Sequence, residues 1–232
     1  IGNTITDEAV IRSEFLLDEG DPFNFLKLDQ SIARLKSRNL FGEIKKNVTE
    51  GSNKNQKIIE VNVEEKATGE ISAGAGIGTN GGSFAVNVKE NNWLGEGNSI
   101  GFDLEFDQDT IKGELSFTNP NHDLLGNSLN YRVFSTSNDK PDQGFQNSLV
   151  GASIGTSFEQ YKDVYTSLSL SASYDDLRTD SSASASLQKQ KGEFSEIAGT
   201  YGITYDQRNR AFMPTDGTII KFRQSLPIYA DK

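Results

Sequence analysis

The sequence predicts a small α+β unit followed by a long antiparallel β segment of barrel type. Three observations carry that expectation. Apolar residues recur at helical spacing only in the first forty or so positions. Strict period-two alternation begins near Glu70 and persists to the end of the chain. Turn-forming stretches rich in Gly, Asn, Asp and Ser punctuate that alternation, the most compact being Asn91-Asn92-Trp93-Leu94-Gly95-Glu96-Gly97-Asn98.

Taken in order, Ile1 to Asn3 reads as the tail of a strand. Thr6 is placed to cap a helix, Asp7 and Glu8 suit its positive end, and Val10, Ile11, Phe15 and Leu16 give its apolar face. Gly20 and Pro22 are expected to stop it. A second helix spans about Phe25 to Ser37, with Leu28, Ile32 and Leu35 inward. Leu40-Phe41-Gly42 leads into a strand ending at Glu50, and a polar hairpin returns the chain through Ile58 to Glu65. Strand, helix, helix, strand, strand makes a two-layer α+β unit over residues 1–68, its first strand mostly missing. Within it Glu43–Glu50 reads as an edge strand, and Lys45, Lys46, Asn47 and Val48 either guard that edge or receive an added strand.

Residues 69–232 carry nine alternating runs, each joined to its neighbour by a hairpin. Ile100, Phe102, Leu104 and Phe106 oppose Gly101, Asp103, Glu105 and Asp107; Leu168, Leu170 and Ala172 oppose serines 167, 169, 171 and 173. Residues 137–147 and 175–193 read as long polar loops. Alternation does not say which face is inside: a soluble sandwich hides its apolar face, whereas an outer-membrane barrel turns it to lipid. The serine ladder and the glycines favour a water-filled interior, and no run reads as buried on both faces.

Charge and composition narrow the function. A net charge of -10 argues against nucleic acid. Residues 1–68 hold 10 basic and 12 acidic side chains, leaving 13 and 21 for the β segment. There is no cysteine and one histidine, His122, in an Asn-Pro-Asn-His-Asp turn, so neither a metal nor a cofactor is expected. Asp103, Glu105 and Glu114 sit on wet strand faces with nothing to desolvate them, and no covalent chemistry is expected. The chain opens abruptly at Ile1 and stops at Lys232 just after a strand, which reads as a fragment.

Several stretches in order carry a family likeness: Gly2-Asn3-Thr4, Arg12-Ser13-Glu14 with Glu19-Gly20, Arg34-Leu35 with Leu40-Phe41, and Val63 to Gly69. Gly74 to Gly78, Asn92 to Gly97, Phe117 to Pro120 and Tyr205 to Gly217 follow. This series resembles the POTRA-plus-barrel superfamily of outer-membrane assembly factors. The resemblance implies that residues 1–68 are the last POTRA domain, in the periplasm. It implies that residues 69–232 are the first nine of sixteen transmembrane strands. An insertase is implied, with unfolded outer-membrane proteins as clients, accessory lipoproteins as partners and the lipid bilayer as surroundings. Related translocation pores, of the TamA or two-partner secretion type, share the plan, and a soluble β-rich binding domain is the alternative from another class.

Four candidate sites follow. The strand Ile71, Ser72, Ala73, Gly74, Ala75, Gly76, Ile77, Gly78, Thr79 has glycine at alternate positions and few side chains to hold a neighbour, which suits a weak lateral seam. Glycines relieving crowding at a tight wall would give the same pattern. Lys45 to Val48 form the strand-addition candidate. Glu19 matches the family's surface for a lipoprotein partner, and Trp93 is a candidate anchor at the membrane interface.

Overall fold

A computed structural model describes residues 1–53, 56–78, 81–123, 125–209 and 213–231. Its contacts divide the chain into two units: Ile1–Glu70 with Glu90–Ser99, and Ile71–Lys89 with Ile100–Lys232.

The first unit packs two helices, α1 (Glu8–Arg12) and α2 (Phe25–Ser37), beside an antiparallel pair, β1 (Phe41–Glu50) and β2 (Lys57–Glu65). Ile1 lines the other side of β2: its ammonium donates to the Val61 carbonyl at 2.8 Å, and the Val63 N–H donates to the Ile1 carbonyl at 2.9 Å. The lateral order is thus the N-terminal segment, β2, β1. Asn24 caps α2 by accepting from the Leu26 and Lys27 amides, and Leu28, Ile32 and Leu35 are buried as their spacing requires. Leu35, Leu40, Phe41, Val63 and Ile11 form the core, with Phe15, Ile44 and Val61 against it. Burying each such side chain contributes about 1.5–3 kcal/mol.

The first helix differs from expectation. It stops at Arg12, and Asp7 rather than Thr6 is its cap. Tertiary bonds explain both. The Leu16 N–H donates to Ser31 Oγ on α2 at 2.8 Å instead of continuing a helix, and the Thr6 hydroxyl, almost fully buried, accepts from Asn92 at 2.9 Å.

Among the described residues the second sheet has nine strands in sequence order. They are β3 (Gly69–Gly78), β4 (Gly81–Trp93), β5 (Asn98–Phe106), β6 (Thr110–Asn119), β7 (Ser128–Lys140), β8 (Phe145–Tyr161), β9 (Val164–Thr179), β10 (Gly192–Asp206) and β11 (Ile219–Asp231). The two long polar loops are much shorter than expected. β7 and β8 continue to a single 3-10 turn at Pro141–Gln143, and β9 and β10 leave only a stretch containing α3 (Ala185–Gln190). Polar residues pair there as strand, with Asn138 opposite Asn147 and Asp176 opposite Ser148, because a ladder needs backbone groups rather than apolar side chains.

The faces are sorted opposite to a soluble sheet. In β9 Ser169, Ser171, Ser173 and Asp175 are half-buried, while Leu168, Leu170 and Ala172 are exposed. In β8 Asn147, Gly151 and Ser153 are covered together with Leu149, and Val150, Ala152 and Ile154 are open together with Ser148. Leu170 is 46% and Val133 53% exposed in mid-strand. A soluble domain does not leave a continuous apolar face of this extent to water.

Candidate functional site

β3 stands at one end of the nine-stranded sheet, hydrogen-bonded only to β4, and every residue in it is exposed. Ile77 reaches 95%. Its glycines are not required by crowding within this chain: nothing lies within 4 Å of a Cβ placed on Gly74 or Gly78, and on Gly76 only the Ser83 hydroxyl comes to 3.0 Å. None of the three has a left-handed φ. Glycine there lowers side-chain contact and raises the backbone entropy lost on pairing. Thr79, the last residue of the proposed seam, lies outside the described residues.

β1 is the outer strand of the first unit, with β2 on its inner side. Lys45 pairs with Glu43 at 2.8 Å, and Lys46 turns the other way to Asp29 of α2. Asn47 and Val48 sit opposite Glu60 and Ile59 of β2. The lysines therefore flank an edge whose backbone groups are unpaired among the described strands. Glu19, with its side chain 88% exposed, meets Arg12 at 3.0 Å, and Arg12 also holds Glu8 at 2.6 Å. Trp93 is the last residue of β4 and is 42% exposed.

A recess of about 350 Å³ opens on the polar face of β3 to β7. Ser72 and Gly74 line it beside a ladder of charges. Glu105 holds Lys112 at 3.2 Å, Glu114 holds Arg132 at 3.4 Å, and Arg132 lies 4.6 Å over the Phe134 ring. Asp103 accepts from the Asn87 side-chain amide. Each of these carboxylates thus has a side-chain partner.

Sequence reasoning missed a polar network inside the first unit. Asn92 donates to Thr6 Oγ1 at 2.9 Å and accepts the Gly97 N–H at 2.8 Å. The Gly95 carbonyl accepts the Asp7 N–H, and the Gly97 carbonyl accepts from Arg38 Nη2, both at 2.8 Å. Arg38 also faces Glu14 at 3.6 Å, and Arg34 reaches the same carboxylate at 3.3 Å. Burial lowers the Arg38 pKa and Glu14 opposes that, leaving a charged guanidinium. Nearby, Glu65 accepts from the Thr4 hydroxyl at 2.6 Å and the amides of Thr4, Ile5 and Thr6 at 2.9, 3.0 and 2.6 Å. Burial pushes its pKa up, but these donors outweigh it and hold the carboxyl at about 2. The only advance signal was two glycines and three asparagines in one turn.

Known proteins share this fold. The model of the Omp85 superfamily domain matches residues 92–230. The chain belongs to the Omp85 superfamily. The POTRA repeat, described as a surface antigen variable number repeat, matches residues 1–66 of the same Omp85 chain. It is 26% identical over 226 residues to the outer membrane protein assembly factor BamA of Neorickettsia risticii, covering 95% of this chain and 30% of that relative. It is 26% identical over 163 residues to BamA of Neisseria meningitidis serogroup B, covering 69% of this chain and 19% of that one. The chain thus spans less than a third of the curated relatives it matches. BamA from Haemophilus ducreyi lacking POTRA domains 1–3 has the same fold at a TM-score of 0.78, with 22% identity over 98% of this chain and 47% of that one. CdiB from Acinetobacter baumannii superposes at 0.54, with 11% identity over 97% of this chain and 44% of its own. The Omp85 chain is an outer-membrane protein with its POTRA unit in the periplasm, and the exposed apolar face of its sheet is the face that lipid covers.

Proposed function

We propose that this Omp85 chain is part of an insertase that folds client barrel proteins into the outer membrane through a weak seam at β3. The observation that carries the reading is β3 itself: a terminal strand, exposed along its whole length, with glycines that neither space nor φ demands in this chain. Such a strand parts from a neighbour at low cost and offers unpaired N–H and C=O groups to an incoming strand. The work is done by backbone pairing and membrane placement, with no covalent step. The POTRA unit supplies a second edge, β1, where Lys45 and Lys46 flank the groups an extended client would pair with. Glu19, exposed beside Arg12, is the candidate contact for an accessory lipoprotein. Relatives named as outer membrane protein assembly factors support the client class.

Gly74→Val with Gly76→Val tests the seam. A Cβ meets nothing within 4 Å at Gly74 and only the Ser83 hydroxyl at Gly76, and a β-branched residue stiffens the strand. Client barrels are expected to assemble several-fold more slowly while the variant itself reaches the membrane. Unchanged client assembly refutes the seam.

A further inference from the structure

A groove of about 560 Å³ runs over the outward face of β8 to β11. Cross-strand pairing puts its walls on the side of the sheet that lipid covers. Thr156, Leu168 and Tyr201 oppose one another in one row, and Ile154, Leu170, Gly199 and Leu226 in the next. Gly199 makes the depression, because between Leu170 and Leu226 it has no side chain to fill the face. Ile228 only leans over it, its Cδ1 3.2 Å from where a Cβ would stand. The hydroxyls at the rim are both spent inside the protein. Tyr201 donates to Gln224 Oε1 at 2.8 Å, and Thr156 donates to the Ser128 carbonyl at 2.7 Å. The Tyr201 ring is also set against Phe222, with 5.7 Å between centroids. The groove therefore presents apolar side chains and a fixed ring, with its hydroxyls already bonded.

We propose that this groove is a binding site for one lipid acyl chain, held against β8 to β11 for longer than the chains around it. The groove is continuous with the lipid face, so hydrocarbon is what reaches it. Chains lying flat across a depression of this volume would leave a void, and a void forfeits dispersion contacts on the atoms that line it. A chain that sinks in instead meets Leu168, Leu170, Leu226 and Ile228 on walls already in place. The chemistry recognised is the chain alone: none of the described residues lining the groove is charged, so the headgroup plays no part. The site lies on a wall other than β3 and stands whether or not clients enter there.

The full-length protein in phosphatidylcholine nanodiscs, doped with a phosphatidylcholine carrying a photo-activatable group on its acyl chain, tests it. After irradiation, mass spectrometry maps the adducts. In the wild type, residues 154–156, 168–170 and 199–201 are expected to be labelled several-fold more than Ile111 and Leu115 of β6, which are exposed apolar residues outside the groove. Gly199→Leu fills the depression, with only the end of Ile228 to move aside, and should bring labelling of the groove down to the β6 level. The same enrichment is expected when the probe has a phosphatidylglycerol headgroup. Even labelling of the groove and β6 in the wild type overturns the proposal. So does enrichment that Gly199→Leu leaves in place, or enrichment that one headgroup shows and the other does not. Should Gly199→Leu fail to reach the membrane, Leu170→Phe narrows the same groove from β9 and carries the same expectation.

Discussion

Replacing Glu65 by Gln isolates what the carboxylate at the end of β2 contributes. Glu65 ties residues 4–6 to β2 through one hydroxyl and three amides. A glutamine keeps one acceptor oxygen and presents an –NH₂ group to donors it cannot satisfy. With the folded pKa held at about 2 against an ordinary 4.5, each unit is worth about 1.4 kcal/mol before allowance for solvent. The carboxylate is only half-buried, and screening by water reduces the contribution to about 1–2 kcal/mol. Because the folded pKa lies below the unfolded one, that stability is complete above pH 4.5 and is lost as pH falls from 4.5 toward 2. The chain has a single tryptophan, Trp93, on the turn docked beside residues 5–10. Urea titration of the detergent-refolded chain, followed by its fluorescence, reads the local unfolding. At about 1 kcal/mol per molar for a unit of this size, the variant midpoint is expected roughly 1–2 M lower at pH 7. The two midpoints converge as pH approaches 2. Superimposed curves at pH 7, or a gap that stays constant across that range, refute the assignment.

Two further outcomes are expected. Leu35→Ala empties a fully buried position in the POTRA core and should lower unit stability by about 2–5 kcal/mol, checked by the same titration. Leu170→Arg and Ser171→Arg place the same charge on opposite faces of β9; the first should cost about 2–4 kcal/mol in lipid and the second little, read as heat-resistant folded fraction on gels.

Much of this was legible in the chain, and for identifiable reasons. The spacing of Leu28, Ile32 and Leu35 marked α2 with the bounds later found, and the alternation marked all nine strands of the sheet. Local patterns fix such elements. The end of α1 was not legible, because Ser31, fifteen residues on, takes the Leu16 amide that a longer helix would have used inwardly. The polar ends of β7 to β10 read as loops, since side-chain polarity says nothing about backbone pairing. Which face is inside could not be taken from period two at all; it became visible when Leu168 and Leu170 proved open while Ser169 and Ser171 were covered. The Thr6–Asn92 bond joins positions 86 apart in sequence and leaves no local trace.

The seam is tested most directly by a photo-activatable residue at Ile77, matched against one at Ser153 in the middle of the sheet. During assembly of a client barrel in native membranes, the Ile77 probe should form adducts with the incoming chain and the Ser153 probe should not. Equal labelling at both positions, or none at Ile77 while clients continue to assemble, would contradict entry beside β3.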